Sequence, residues 1–106
     1  MTQERKRLML VDDHPMWIDA LSEDLTEVGF EIVAVAKNGT ECLARARATR
    51  PEVVVMDLQI PEPDGATCIE ILLGEFPDMH VLVMSASGER VDVLRAMKAG
   101  AKGYLV

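Results

Sequence analysis

Five short apolar runs recur along the chain with a helical pattern between each pair, and this alternation constrains the fold more than any other feature. The runs begin near residues 7, 31, 53, 80 and 103, separated by 24, 22, 27 and 23 residues. Parallel strands need a crossover of about a dozen residues or more, usually a helix, and each interval has room for one. In the first interval Ile18, Leu21, Leu25 and Val28 recur on one helical face. That spacing predicts a helix from about Pro15 to Val28, with Gly29 as its stop. Asn38 is placed to cap a second helix that ends before Pro51, and Asp64 to cap a third, bearing Ile69, Leu72, Leu73 and Phe76, that stops at Pro77. A fourth carries Val91, Leu94 and Met97 and ends at Gly100.

Such βα repetition predicts an α/β fold, a doubly wound five-stranded parallel sheet in the flavodoxin-like order 2-1-3-4-5. Val53 to Met56 and Val81 to Met84 are apolar without alternation, as suits central strands covered on both faces, while Glu31 to Ala36 suits a flanking strand. One domain over residues 1–106 is expected, and with no helical pattern after Gly103-Tyr104-Leu105-Val106 it is expected to lack the fifth helix. Right-handed crossovers place the first helix on one face and the other three on the opposite face, leaving the first face half covered and apolar.

Charge and cysteine usage exclude several functions. A net charge of −7 opposes attraction to nucleic acid phosphates, so DNA contact is expected only through an output domain absent from this chain. Arg45, Arg47 and Arg50 do not share a helix face and read as solvated. Apolar runs of four residues are far below the ~20 that span a bilayer, and the basic start leads into Asp-Asp-His-Pro rather than a leader's apolar core. A cytoplasmic protein is expected. Cys42 and Cys68 lack the spacing of a zinc or redox motif and read as two separate, reduced packing residues.

The chemistry lies where the apolar runs end. Asp12 and Asp13 close Arg7 to Val11, and Asp57 closes Val53 to Met56. The predicted order sets the first and third strands side by side, and the crevice beyond the strand carboxyl ends at such a switch point is where ligands bind. Three carboxylates there repel one another unless a cation joins them, which predicts a Mg²⁺ site. Asp57, alone on its strand end, reads as the nucleophile, and the adjacent pair as metal ligands. Ser85 ends the fourth strand at the same rim. His14 is assigned a loop role, His80 a surface position before the fourth strand, and Trp17 a packing role.

An aspartate-nucleophile phosphohydrolase would share this chemistry, but Asp57-Leu58-Gln59 lacks the second carboxylate of an Asp-x-Asp pair. A flavin module would need a phosphate cradle where Asp12-Asp13-His14-Pro15 offers negative charge. Nucleotide, hydrolase and metalloprotease motifs are absent from the sequence.

With Val11-Asp12-Asp13-His14-Pro15, Met56-Asp57-Leu58-Gln59-Ile60-Pro61, Asp64-Gly65, Ser85-Ala86 and the segment from Ala99 to Leu105, the chain resembles the receiver domains of two-component response regulators, in the NarL-like branch. The resemblance covers the whole chain. It implies that Asp57 accepts a phosphoryl group from a sensor histidine kinase. Asp13, Asp57 and the Gln59 backbone carbonyl would bind Mg²⁺ directly, with Asp12 acting mostly through water. Ser85 and Tyr104 would form the switch pair, and Gln59 and Ser87 would influence how long the acyl phosphate lasts. Receivers carry a catalytic lysine three residues after the position of Tyr104; the sequence ends one residue short of it, and Lys102 lies before the strand. A receiver truncated before its last helix is therefore expected, with transcription regulation residing elsewhere. A phosphorylation-independent interaction module, forming a homodimer or exchanging elements through the uncovered face, is the alternative.

Overall fold

The computed structural model describes residues 5–84 and 90–105. In chain order the elements are β1 (Lys6–Val11), α1 (Pro15–Glu27), β2 (Phe30–Ala36), α2 (Gly39–Thr49), β3 (Val53–Asp57), α3 (Gly65–Glu75), β4 (His80–Met84), α4 (Arg90–Ala99) and β5 (Gly103–Leu105). All strand pairs are parallel and the sheet order is β2-β1-β3-β4-β5.

Side-chain alternation along the strands sorts the apolar residues into two cores. Met9, Val11, Val54, Met56, Val81 and Val83 face one side, where Cys42 and Ala46 of α2, Cys68, Ile69 and Leu72 of α3 and Ala96 of α4 cover them. Leu8, Leu10, Val53 and Val55 face the other side and meet Ile18, Leu21 and Leu25 of α1. Each such side chain, fully buried, contributes on the order of 2 kcal/mol.

The helix boundaries follow their local chemistry. Asn38 accepts a hydrogen bond from the Glu41 amide at 2.8 Å, and Asp64 accepts one from the Thr67 amide at 2.9 Å, which caps α2 and α3 as their sequences predict. Pro15 opens α1, where a missing N–H costs nothing. Gly100 follows α4 at φ 115°, a backbone that favours glycine.

Three expectations need correction. β4 is not covered on both faces: Val81 and Val83 are buried, but Leu82 and Met84 are only half-buried. The last two face the side of α1, and α1 packs over β1 and β2 instead. Trp17 is 52% exposed and lies outside the buried core, and Met16 beside it is 86% exposed. His80 is exposed, as expected, but is the first residue of β4 instead of preceding it. The arginines of the 45–50 segment are surface groups with separate partners: Arg47 of α2 makes a bidentate pair with Glu75, and Arg50, the residue after α2, lies over the Phe76 ring. Among the described residues no helix is long and apolar enough to cross a membrane.

Candidate metal and phosphoacceptor site

The register of the sheet builds the site. Val11 of β1 lies beside Met56 of β3, so the residues that follow, Asp12 and Asp57, emerge side by side at the carboxyl ends of adjacent strands. The Asp12 amide donates to Ala36 O at 3.0 Å, which extends β1's pairing with β2 and holds that backbone at the rim. Asp12 is the one buried charged residue among those described, 3% exposed; Asp57 is half-buried and Asp13 exposed. One ligand atom from each of Asp12, Asp13, His14 and Asp57 can be chosen so that all lie within 4.8 Å of one another.

Sequence reasoning missed His14. Its Nδ1 sits 2.8 Å from Asp12 Oδ1 and 3.0 Å from Asp13 Oδ1, and its amide donates to Asp12 Oδ1 at 2.9 Å. The hydrogen bond to Asp12 and the nearby charge of Asp13 raise its pKa, which favours the protonated ring between the two carboxylates. Adjacency in Asp12-Asp13-His14 was the available signal, because an Asx-type turn folds residue i+2 back onto the Asp side chain.

Even with the ring protonated, three carboxylates leave the cluster negative. Burial, the largest cause, raises the Asp57 carboxyl above its ordinary value; Asp12 and Asp13 push in the same direction, while the Gln59 amide and His14 oppose them. The Gln59 amide donates to Asp57 Oδ1 at 3.0 Å and orients the carboxylate. A buried carboxylate beside two others, with hard oxygen donors and too little positive charge, is a donor set that fits Mg²⁺.

The turn after β3 is held by close approach. A Cβ on Gly39 would lie 1.9 Å from Pro63 O, and one on Gly65 would lie 2.8 Å from Leu58 Cα. The Gly39 amide donates to Pro61 O at 2.9 Å, so the N-terminus of α2 grips the 61–64 turn that leads from Asp57 to the Asp64 cap. Arg95 of α4 reaches Asp64 at 3.2 Å. The Thr67 hydrogen bonds, more than this ion pair, hold the Asp64 carboxyl below the usual range.

The structure thus gathers Asp12, Asp13, Asp57 and Gln59. Tyr104 lies on β5 with its backbone beside Val83. Ser85 and Ser87 lie outside the described residues.

Residues 8–106 match the response regulator receiver domain. The chain is 34% identical over 101 residues to the chemotaxis protein CheY of Thermotoga maritima, covering 95% of this chain and 84% of that one. It is 32% identical to a nitrate/nitrite response regulator homolog of Haemophilus influenzae, covering 98% of this chain but 50% of that protein. Among solved structures, the receiver domain of the NarL regulator from Mycobacterium tuberculosis superposes with a TM-score of 0.90 at 29% identity, over 97% of this chain and 84% of that one. The chain belongs to the response regulator receiver domain family. It is a signalling domain of two-component systems, with an acidic pocket at the carboxyl ends of β1 and β3.

Proposed function

We propose that the protein is a phosphoryl-accepting switch in which a histidine kinase's phosphohistidine donates to Asp57. The observation that carries this reading is the meeting of Asp12, Asp13 and Asp57 at one crevice, all within 4.8 Å. Asp12 and Asp13 are engaged by His14, while Asp57 is fixed only through its Oδ1 by the Gln59 amide in the bonds described. A carboxylate oxygen of Asp57 attacks phosphorus in line, the P–N bond to the imidazole breaks, and an acyl phosphate forms. Asp13, Asp57 and the Gln59 carbonyl would hold Mg²⁺, with Asp12 acting through water, and the ion would supply the positive charge that offsets the carboxylates and the incoming phosphoryl oxygens. Asp57 must be ionised to attack; burial first, and then the charges of Asp12 and Asp13, raise its pKa, so a cation at the site would also ready the nucleophile.

Ser85 and Tyr104 form the switch pair in this reading, and Gln59 and Ser87 govern the lifetime of the acyl phosphate. The likeness to the NarL receiver supports a NarL-like regulator, and the match to half the length of the nitrate/nitrite homolog supports a receiver that works with a further domain; in this reading that domain is a DNA-binding output. Incubation with acetyl phosphate and Mg²⁺ should add about 80 Da as a hydroxylamine-labile group. The gain should vanish in Asp57→Asn or with EDTA; a gain that persists in Asp57→Asn rejects the assignment.

The exposure of Trp17 and the half-buried Leu82 and Met84 favour a second role, self-association through the α1 face. Light scattering should then show dimers that Trp17→Asp disperses. A monomer at high concentration would remove this role and leave the phosphoacceptor reading untouched.

A further inference from the structure

The two histidines lie at opposite ends of the sheet: His80 opens β4, whereas His14 follows β1 at the carboxyl ends where the three carboxylates meet. His14 Nδ1 is 2.8 Å from Asp12 Oδ1 and 3.0 Å from Asp13 Oδ1. An ion bonded at about 2.1 Å sets ligands at right angles about 3 Å apart and opposite ligands about 4.2 Å apart. The ring nitrogen thus stands from each of these two oxygens at the separation of neighbouring ligands, and the set of four, within 4.8 Å, is close to the span of one coordination shell. The backbone supports this placement apart from the ring, because the His14 amide donates to Asp12 Oδ1 at 2.9 Å and Asp12 is buried. Entry requires no opening of the fold, since the His14 side chain is 70% exposed and that of Asp13 36%.

We propose that His14 is an imidazole ligand of the ion held by this crevice, and that it turns a site of oxygen donors toward a late first-row ion such as Zn²⁺, in competition with Mg²⁺. The inference rests on the proposed ion site of Asp12, Asp13 and Asp57. Mg²⁺ takes oxygen ligands and keeps several waters, so a ring nitrogen adds little to its binding. Imidazole suits Zn²⁺, Cu²⁺ and Ni²⁺, for which the same nitrogen is a strong ligand. Facing two carboxylates, Nδ1 carries a proton in the absence of metal; a divalent ion entering there displaces that proton to solvent and takes the nitrogen lone pair. With His14 the crevice offers four protein side chains, the number that Zn²⁺ takes in closed sites. An ion held by all four leaves less room for phosphoryl oxygens than Mg²⁺ with its waters, so His14 sets which ions support phosphoryl transfer to Asp57 and which compete with it.

The test is to titrate the chain with Zn²⁺ and separately with Mg²⁺ by calorimetry, and to follow the imidazole nitrogen resonances of ¹⁵N-labelled histidine during the Zn²⁺ titration. The expected result is a saturable shift of the His14 Nδ1 resonance while His80, at the far end of the sheet, stays in place. In His14→Ala the ratio of Zn²⁺ to Mg²⁺ affinity should fall at least about tenfold, the low end of what losing even a ligand's outer partner costs. The ratio isolates ligation, because loss of the ring's charge acts alike on two ions of equal charge. If the variant fails to fold, the ring resonance of the wild type decides alone. An unchanged ratio, or a His14 ring that does not respond while Zn²⁺ binds, overturns the ligand role and leaves the ion site standing. Binding of neither ion removes both.

Discussion

Replacing Asp57 with Asn removes one charge from the cluster and keeps an Oδ1 to accept from the Gln59 amide. Asp12, Asp13 and Asp57 offer ligand atoms within 4.8 Å of one another. At that separation, an effective dielectric between 20 and 80 gives about 1 to 3 kcal/mol for each like-charge pair. Asp13 is exposed and His14 offsets part of the sum, so a net relief of about 1 to 2 kcal/mol is expected, roughly 5 to 10 °C in melting temperature. The pKa of Asp57 is raised in the folded protein, so ionising it costs stability. That cost is absent below the unfolded carboxyl value, grows as pH rises toward the folded value, and is full above it. The advantage of Asp57→Asn in EDTA should therefore be greatest at neutral pH and shrink on acidification through that window. Mg²⁺ at a hundred times its dissociation constant adds about 2.7 kcal/mol to the wild type, while the weakened site of the variant gains little, so the order of stability should reverse. Thermal unfolding followed by circular dichroism, with EDTA and with Mg²⁺, reads both. A variant no more stable than wild type in EDTA would refute the crowding of charge at the site.

Other perturbations test the support of the site. Asp64→Ala removes the α3 cap and the Arg95 pair and should cost about 1 kcal/mol by urea unfolding. Since the Asp64 pKa is lowered on folding, its contribution is present above the unfolded carboxyl value and is lost as pH falls through the folded value, so wild type and variant should converge in acid. Gly39→Ala drives a Cβ to 1.9 Å from a backbone carbonyl and should destabilise by about 1 to 3 kcal/mol, with amide exchange rising first in the 61–64 turn. An unchanged exchange pattern there would show that the turn is not gripped by α2.

The elements that the sequence announced most clearly were those whose cause is local. Asn38 and Asp64 cap helices because a side-chain oxygen three residues before an amide suffices, and the strand-end aspartates follow from where the apolar runs of β1 and β3 stop. The juxtaposition of Asp12 and Asp57 also followed, because strand order alone carries it. Contacts that depend on helix placement were not legible. Cys42 and Cys68 are buried and free, as their spacing predicts, but that spacing does not report that both line one core between the sheet and α2 and α3. Leu82 and Met84 share a continuous apolar run with Val81 and Val83, so the run could not tell that α1 covers only one end of the sheet. The ring of His14 turned back on two carboxylates, and the exposed Trp17 one helical turn away, depend on the path of the chain into α1.

The central claim is that the carboxylates ending β1 and β3 hold one divalent ion. Mn²⁺ is the direct probe, since an ion of the same charge and ligand preference broadens nearby NMR resonances steeply with distance. Titration should bleach the amides around Asp12, Asp13, Asp57 and Gln59 first and saturably, with Mg²⁺ restoring them, and Asp12→Asn and Asp57→Asn should weaken the effect. Broadening spread evenly over the acidic surface, or centred on the carboxylates of α1, would contradict it.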